Sequence, residues 1–310
     1  MTISAHVENF LKYLEFERNT SQLTIKNYDH YLKRFLDFLK DELNLTDLTP
    51  SQIDLPLITK YNQYLVHFVD PKTKKPLKKI TQNYFMIAIR AFLRYLKTIN
   101  VSSLSADQVK LAETEQRALK TLDDSHIRQL LEAPDITKKD GIRDRAILET
   151  LFSTGLRVSE LTSLNRATID LVSHEFTILG KGGRERVVFI SESAAVWLDN
   201  YFKIRTDTFK PLFIRFQGKV ELNEDGEKMR LTPRSIERIV EKYAKSQGLP
   251  IKVTPQILRH SFATDLLTGG ADIKSVQEKL GHNNLSTTQI YSHVGDIQNE
   301  NIERPFHPGN

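Results

Sequence analysis

Arg157, Lys181, Arg259, His282 and Tyr291 follow one another through the C-terminal half of the chain, each in a local context that presents its side chain. Arg157 lies in Thr154-Gly155-Leu156-Arg157-Val158, Lys181 in Gly180-Lys181-Gly182-Gly183, Arg259 in Gln256-Ile257-Leu258-Arg259-His260, and His282 in Leu280-Gly281-His282. Attack on a phosphodiester needs this set. Two guanidiniums, Arg157 and Arg259, can clamp the nonbridging oxygens of the crowded phosphate through paired N–H donors without giving up their own charge. The phenol of Tyr291 can form a covalent phosphate ester once it is deprotonated and the phosphate is held in line. A lysine whose pKa is lowered by nearby cations can protonate the departing sugar oxygen, which suits Lys181. The imidazole of His282 can donate a hydrogen bond to the same phosphate and share the charge. No metal ligand is needed in such a scheme.

The segment from Leu258 to Val294 resembles the catalytic end of the tyrosine site-specific recombinases, the phage integrase family, and most closely their Xer type. Leu258-Arg259-His260-Ser261-Phe262-Ala263-Thr264, Gly269-Gly270-Ala271-Asp272-Ile273, Leu280-Gly281-His282 and Leu285-Ser286-Thr287-Thr288-Gln289-Ile290-Tyr291 carry the likeness, which extends over essentially the whole chain. The resemblance implies a 3′-phosphotyrosyl intermediate on Tyr291, a free 5′-hydroxyl, and strand exchange through a Holliday junction. It implies no cofactor, because the bond energy stays in the protein–DNA ester. It also implies that Glu160 supports Arg157. One position departs from the pattern. Gln256 stands three residues before Arg259, where the family usually has histidine, and an amide cannot take up a proton at accessible pH. The expectation is a working but slowed enzyme.

Blander readings of the neighbouring residues also stand. His260 follows Arg259 but points about 100° away on a helix, so a hydrogen bond within the fold is expected of it. His293 and His307 lie beyond Tyr291 and read as solvated or as contacts to a partner subunit. Tyr28, Tyr61, Tyr84 and Tyr243 occur among aliphatic residues at helical spacing and read as packing or phosphate contacts.

Charge is uneven along the chain. Residues 1–112 hold 16 Lys and Arg against 11 Asp and Glu, whereas the remainder holds 28 of each. Within residues 60–97, nine basic residues face the single acid Asp70. Lys72, Lys74, Lys75, Lys78 and Lys79, followed by Arg90 and Arg94, are therefore candidate phosphate contacts, which give salt-sensitive affinity with little sequence information. Double-stranded DNA is the expected partner.

The absence of cysteine leaves neither disulfides nor thiolate metal sites. Neither a bilayer-length apolar run nor a signal-peptide core at Met1–His6 is present, so a soluble, cytoplasmic, nucleoid-associated protein is expected.

Apolar periodicity predicts four helices first: one around Phe10–Leu14, one from Leu23 to Leu39 capped by Thr20 or Ser21, then Ile53–Val69 and Leu77–Leu96. Further on it predicts helices near Ile127–Leu131, over Ile142–Phe152 and over Ala194–Phe202. Two strands flank the Lys181 turn, and a short strand is expected at Leu212–Ile214. Pro233 and Pro255 suit the first turns of two more helices. The fold class is thus mainly α with a small β-sheet: an N-terminal helical core-binding bundle, residues 1–105, and a C-terminal α+β catalytic domain of the recombinase type, residues 120–294. Residues 106–119 are expected to link them. Residues 295–310 are a polar tail with Ile297, Ile302 and Phe306, which in the family packs into a neighbouring subunit, so a cyclic homotetramer on synapsed DNA is expected, with a second recombinase as an optional partner. Two rival readings are a family member that binds DNA but has lost catalysis, for which Gln256 is the only support, and a type IB topoisomerase-like strand relaxer.

Overall fold

Small polar residues set the helix boundaries. In the computed structural model, which describes residues 1–114, 120–180, 183, 185–218 and 225–281, the chain divides into two compact units, Met1–Arg117 and Ala118–Asn310. It is mainly helical with a small antiparallel sheet, which lies in the second unit.

The first unit contains α1 (Ile3–Phe16), α2 (Gln22–Asp41), α3 (Leu55–His67) and α4 (Lys79–Thr98). Thr2, Ser21 and Asp54 cap the first three by accepting from the backbone N–H groups of Ala5, Thr24 and Leu57, which satisfies donors that a helix start leaves open. The α3 helix is shorter at both ends than periodicity suggests, because Asp54 with Pro56 fixes its start and Val69 instead forms a β-bridge with Pro76. Phe10, Phe35, Tyr61, Leu65, Phe92 and Leu93 are buried together at the centre. Beyond α4 the chain continues to pack on this unit. Ala106 and Val109 are buried in the same core, and the Asn83 side chain both donates to the Ala112 carbonyl and accepts from its N–H.

The second unit runs through α5 (Asp124–Glu132), α6 (Lys139–Thr154), α7 (Val158–Ser163), β1 (Glu175–Leu179), β2 (Glu185–Phe189), α8 (Glu192–Ile204), α9 (Pro233–Ser246), α10 (Pro255–Thr268) and α11 (Ile273–Leu280). Its core gathers Leu130, Ile147, Leu151, Leu198, Ile236 and Leu258. The two strands pair antiparallel with Phe176 opposite Val188, Ile178 opposite Arg186 and Leu179 opposite Glu185. Period-2 alternation turns Phe176, Ile178 and Val188 into the core and leaves Glu175, Thr177 and Leu179 exposed. The strand expected at Leu212–Ile214 is not one. All three residues are buried, yet their backbone is satisfied one group at a time: Leu212 N–H donates to Leu164, Leu231 N–H donates to Phe213, and Ile214 makes an isolated bridge to Arg230. Burial produced the apolar run without a ladder to go with it. Among the described residues, no helix is long and apolar enough to cross a membrane.

Candidate active site

The α6 helix ends at Gly155, whose left-handed backbone (φ 58°) turns the chain toward Arg157. A β-carbon there would lie 2.4 Å from a ring carbon of Phe262, so the position has room only for glycine. Two residues on, Arg157 is the N-cap of α7, with its side chain one-third exposed. Its backbone N–H donates to Glu160 Oε2 at 2.8 Å and its Nη1 to Glu160 Oε1 at 2.9 Å. Thus the carboxylate at the third helical position both satisfies the helix start and fixes the guanidinium.

Arg259 arrives from α10. Thr254 caps that helix by accepting from Ile257 N–H, and Pro255 occupies its first turn, as the sequence suggests. The Arg259 side chain is only 1% exposed. Its Nη1 donates to the Gly155 carbonyl and its Nη2 to the Leu280 carbonyl, each at 2.6 Å, and it lies 3.9 Å from Glu160 Oε2. A third guanidinium, from Arg186 on β2, closes on the same acid with Nη1 at 3.1 Å from Oε1 and Nη2 at 2.8 Å from Oε2. Burial pushes the Glu160 carboxyl up, but the hydrogen bonds and charges of Arg186 and Arg157 outweigh it and hold the group below its ordinary value. Three guanidiniums therefore share one buried carboxylate, an excess of positive charge suited to a phosphate.

The last turn of α11 completes this arrangement. Its terminal carbonyls carry the negative end of the helix, and Gly281 O accepts from Arg157 Nη2 at 3.5 Å while Leu280 O takes Arg259. Gly281 is left-handed (φ 64°), and a β-carbon on it would come within 2.7 Å of Arg186 Nη1. Beside Arg157 lies a depression of about 490 Å³ whose lining includes Ser159, Arg234, Lys252, Thr254 and Gln256. Gln256, exposed on the first turn of α10, places its Nε2 3.2 Å from His260 Nε2 one turn later. Burial first, then the charge of Arg259, lowers the His260 pKa, so the imidazole is neutral near pH 7. The hydrogen bond expected of His260 within the fold is this one.

The structure thus brings together Arg157, Glu160 and Arg259, with Gln256 at the edge of the adjoining depression. Lys181, His282, Tyr291 and the tail from Gly295 lie outside the described residues. Arg186 had no role in the sequence reading. A signal was there: in Glu185-Arg186-Val187-Val188 the alternation points Arg186 to the same side as the buried Val188, and an inward guanidinium demands a buried acid.

In the first unit Lys72, Lys74, Lys75, Lys78 and Lys79 are all exposed. They border a turn held by Asp70, whose carboxylate accepts from Lys72 and Thr73 N–H and is lowered in pKa by those bonds, those from Thr73 and then Lys72. Asp70 also exchanges backbone hydrogen bonds with Lys74 and Lys75. Arg90, on α4, is half-buried, whereas Arg94, on the same helix, is exposed 3.9 Å from Asp107. Of the tyrosines, Tyr61 is fully buried, and Tyr243 donates to Asp144 at 2.9 Å, both packing roles. Tyr84 is exposed.

Residues 120–297 match the model of the phage integrase family, and residues 7–99 match that of the phage integrase N-terminal SAM-like domain. The chain is 37% identical over 310 residues to tyrosine recombinase XerC of Pelotomaculum thermopropionicum, covering 98% of each chain. It is 32% identical over 313 residues to tyrosine recombinase XerD of Staphylococcus epidermidis, covering 97% of this chain and 98% of that one. Among solved structures, the XerH site-specific recombinase bound to palindromic difH substrate superposes with a TM-score of 0.70 at 22% identity, over 95% of this chain and 83% of that one. A lambda integrase dimer bound to a COC′ core site gives 0.66 at 16% identity, over 93% of this chain and 97% of that one, and both share the fold.

Proposed function

Because the chain belongs to the phage integrase family, as a tyrosine recombinase of the Xer type, we propose that it cuts and rejoins double-stranded DNA at specific sites by the following route. The Tyr291 oxygen, its proton given up to solvent water, attacks the scissile phosphorus, a 3′-phosphotyrosyl bond forms as the P–O5′ bond breaks, and the 5′ oxygen leaves as a hydroxyl with a proton from Lys181. Attack by the 5′-hydroxyl of another strand reverses the step and joins the two, so that exchange passes through a Holliday junction. Each ester made equals one broken, and neither a nucleotide nor a metal is consumed.

One observation carries this reading: Arg157 and Arg259 flank the same buried carboxylate, and each guanidinium is held by hydrogen bonds within the protein. Preorganised charge of this kind acts on the transition state without reorganising at the moment of reaction. His282 donates to the phosphate. Gln256 orients groups through its amide and takes no proton. Residues 1–105, with the stretch to Ala112 that packs on them, serve as the core-binding domain, and the rest of 106–119 is the linker; 120–294 carry the chemistry, and 295–310 dock on the next subunit of a tetramer, with a second recombinase able to supply some of the subunits. Lys72, Lys74, Lys75, Lys78, Lys79, Arg90 and Arg94 contact the DNA backbone, and the work is done on nucleoid DNA in the cytoplasm.

A nicked suicide substrate, from which the short 5′ fragment diffuses away, tests this. The expected result is a protein–DNA band that survives denaturation and is lost in Tyr291→Phe. Repeated binding without such a band would mean a DNA-binding module instead, and relaxation of supercoils without exchange of strands would favour a topoisomerase.

A further inference from the structure

We propose that Arg186 is a positioning residue of this site, locking the hairpin that carries Lys181 onto Glu160 and thereby setting Arg157 and Arg259 for the phosphate. The inference rests on the recombinase reading above and extends it to a residue outside the reacting set.

Arg186 occupies an inward position of β2, opposite Ile178 and one alternation from the buried Val188. Packing alone would put an aliphatic residue there, since a guanidinium taken out of water costs several kcal/mol unless it is paired. Its side chain is 12% exposed, and both terminal nitrogens are spent on the two oxygens of Glu160. That carboxylate is the one that holds Arg157 through backbone and side chain and faces Arg259. Fork-to-fork geometry makes such a link directional, which a single ammonium cannot reproduce.

Three chain segments meet at this side chain. Lys181 lies five residues upstream, between the paired strand ends Leu179 and Glu185. Arg157 is reached through Glu160. Gly281, with no side chain to obstruct Nη1, immediately precedes His282 in the sequence. Arg186 thus ties the strand next to the general acid to the acid that aligns the arginines. It touches no reacting atom itself.

The test measures covalent-complex formation on the suicide substrate for the unaltered protein, Arg186→Ala, Arg186→Lys, Glu160→Gln and the Arg186→Ala/Glu160→Gln double variant. Arg186→Ala should slow cleavage about 100-fold, and Arg186→Lys about 10-fold, while affinity for the same DNA changes by less than about threefold. In the double variant the loss should be no greater than about that of the more impaired single variant, since both act through one link. A readout that mere structural damage would not move is the pH profile. The groups facing Glu160 are Arg157, Arg186 and Arg259; without Arg186 the carboxyl loses its strongest donor, so the acid limb of the cleavage rate should move to higher pH. Wild-type rates in Arg186→Ala, or losses that multiply in the double variant, overturn the inference. Should Arg186→Ala not fold, Arg186→Lys decides, and an unchanged rate in it overturns the inference equally. A missing covalent complex with the unaltered protein overturns the recombinase reading and this inference with it.

Discussion

The two units solve the problem of charge in opposite ways. Among the described residues, the first unit buries no charged side chain other than His6, and its lysines and arginines, apart from the half-buried Arg34 and Arg90, stand in solvent around an aromatic core. The second buries Arg143, Asp144, Glu149, Glu160, Arg205 and Arg259 together with Thr150, Thr154 and Ser261. Apolar replacements of equal shape would often leave a fold as stable or more so. What the buried charges provide is a fixed field, and the cost of desolvating them is offset by dense hydrogen bonding, as at Arg259 with its two carbonyls and Glu160 with the guanidiniums of Arg157 and Arg186. On the function proposed above, a unit that grips a polyanion can leave its charges in solvent, whereas one that reacts with a single phosphate has to hold them still.

The hardest blow to that contrast is Glu160→Ala. It leaves Arg186 and Arg259 buried without their shared counter-charge and should destabilise the second unit by about 3–5 kcal/mol, as read from urea unfolding, with cleavage falling by more than the folded fraction does. A change below about 1 kcal/mol would show that the carboxylate is a surface-like pairing after all.

Acid sharpens the same point more gently. The folded pKa of Glu160 lies below its unfolded value of 4.5, so the folded state holds the proton more weakly than the unfolded one. Its stabilisation is complete above the unfolded pKa and disappears as pH falls through the folded one. The stability gap between the unaltered protein and Glu160→Gln should therefore narrow as pH is lowered from about 5 to about 3. A gap independent of pH would mean the carboxylate is not the group that matters.

The smallest expected change in stability belongs to the first unit. Replacing Lys72, Lys74 and Lys75 together by alanine should shift stability by no more than about 0.5 kcal/mol. It should weaken DNA binding alike on specific and unrelated sequences and reduce the slope of log affinity against log salt by about 0.9 for each phosphate that is no longer neutralised. Poorer discrimination between sequences, with the slope intact, would contradict a backbone-gripping role.

Much of this organisation can be read from the chain itself, for identifiable reasons. Where a cap and a proline coincide, as at Thr232-Pro233 and Thr254-Pro255, helix starts are legible to the residue, because local hydrogen bonding decides them. The four helices of the first unit follow from their apolar periodicity, with ends displaced where caps outrank periodicity, as at Asp54. Leu212–Ile214 misleads, since a short buried apolar run looks the same whether or not another strand lies beside it. In the candidate site, Arg157, Glu160 and Arg259 are nominated by residue type and order, and the fold places them side by side. The part of Arg186 is not, because its partner is 26 residues away and only the folded hairpin brings the two together.

The turn around Asp70 has one further consequence. Lys74 adopts a left-handed backbone (φ 55°), a conformation few side chains favour, and it is held there by the Asp70 carbonyl and by the Val69–Pro76 bridge. The lone acid in a basic stretch would ordinarily repel a polyanion; here its Oδ1 is engaged by the peptide N–H groups of Lys72 and Thr73 in its own loop. Docking onto a nucleic acid would then restrict the tips of the lysines and little of the chain that bears them, so the entropic penalty of association is largely met during folding.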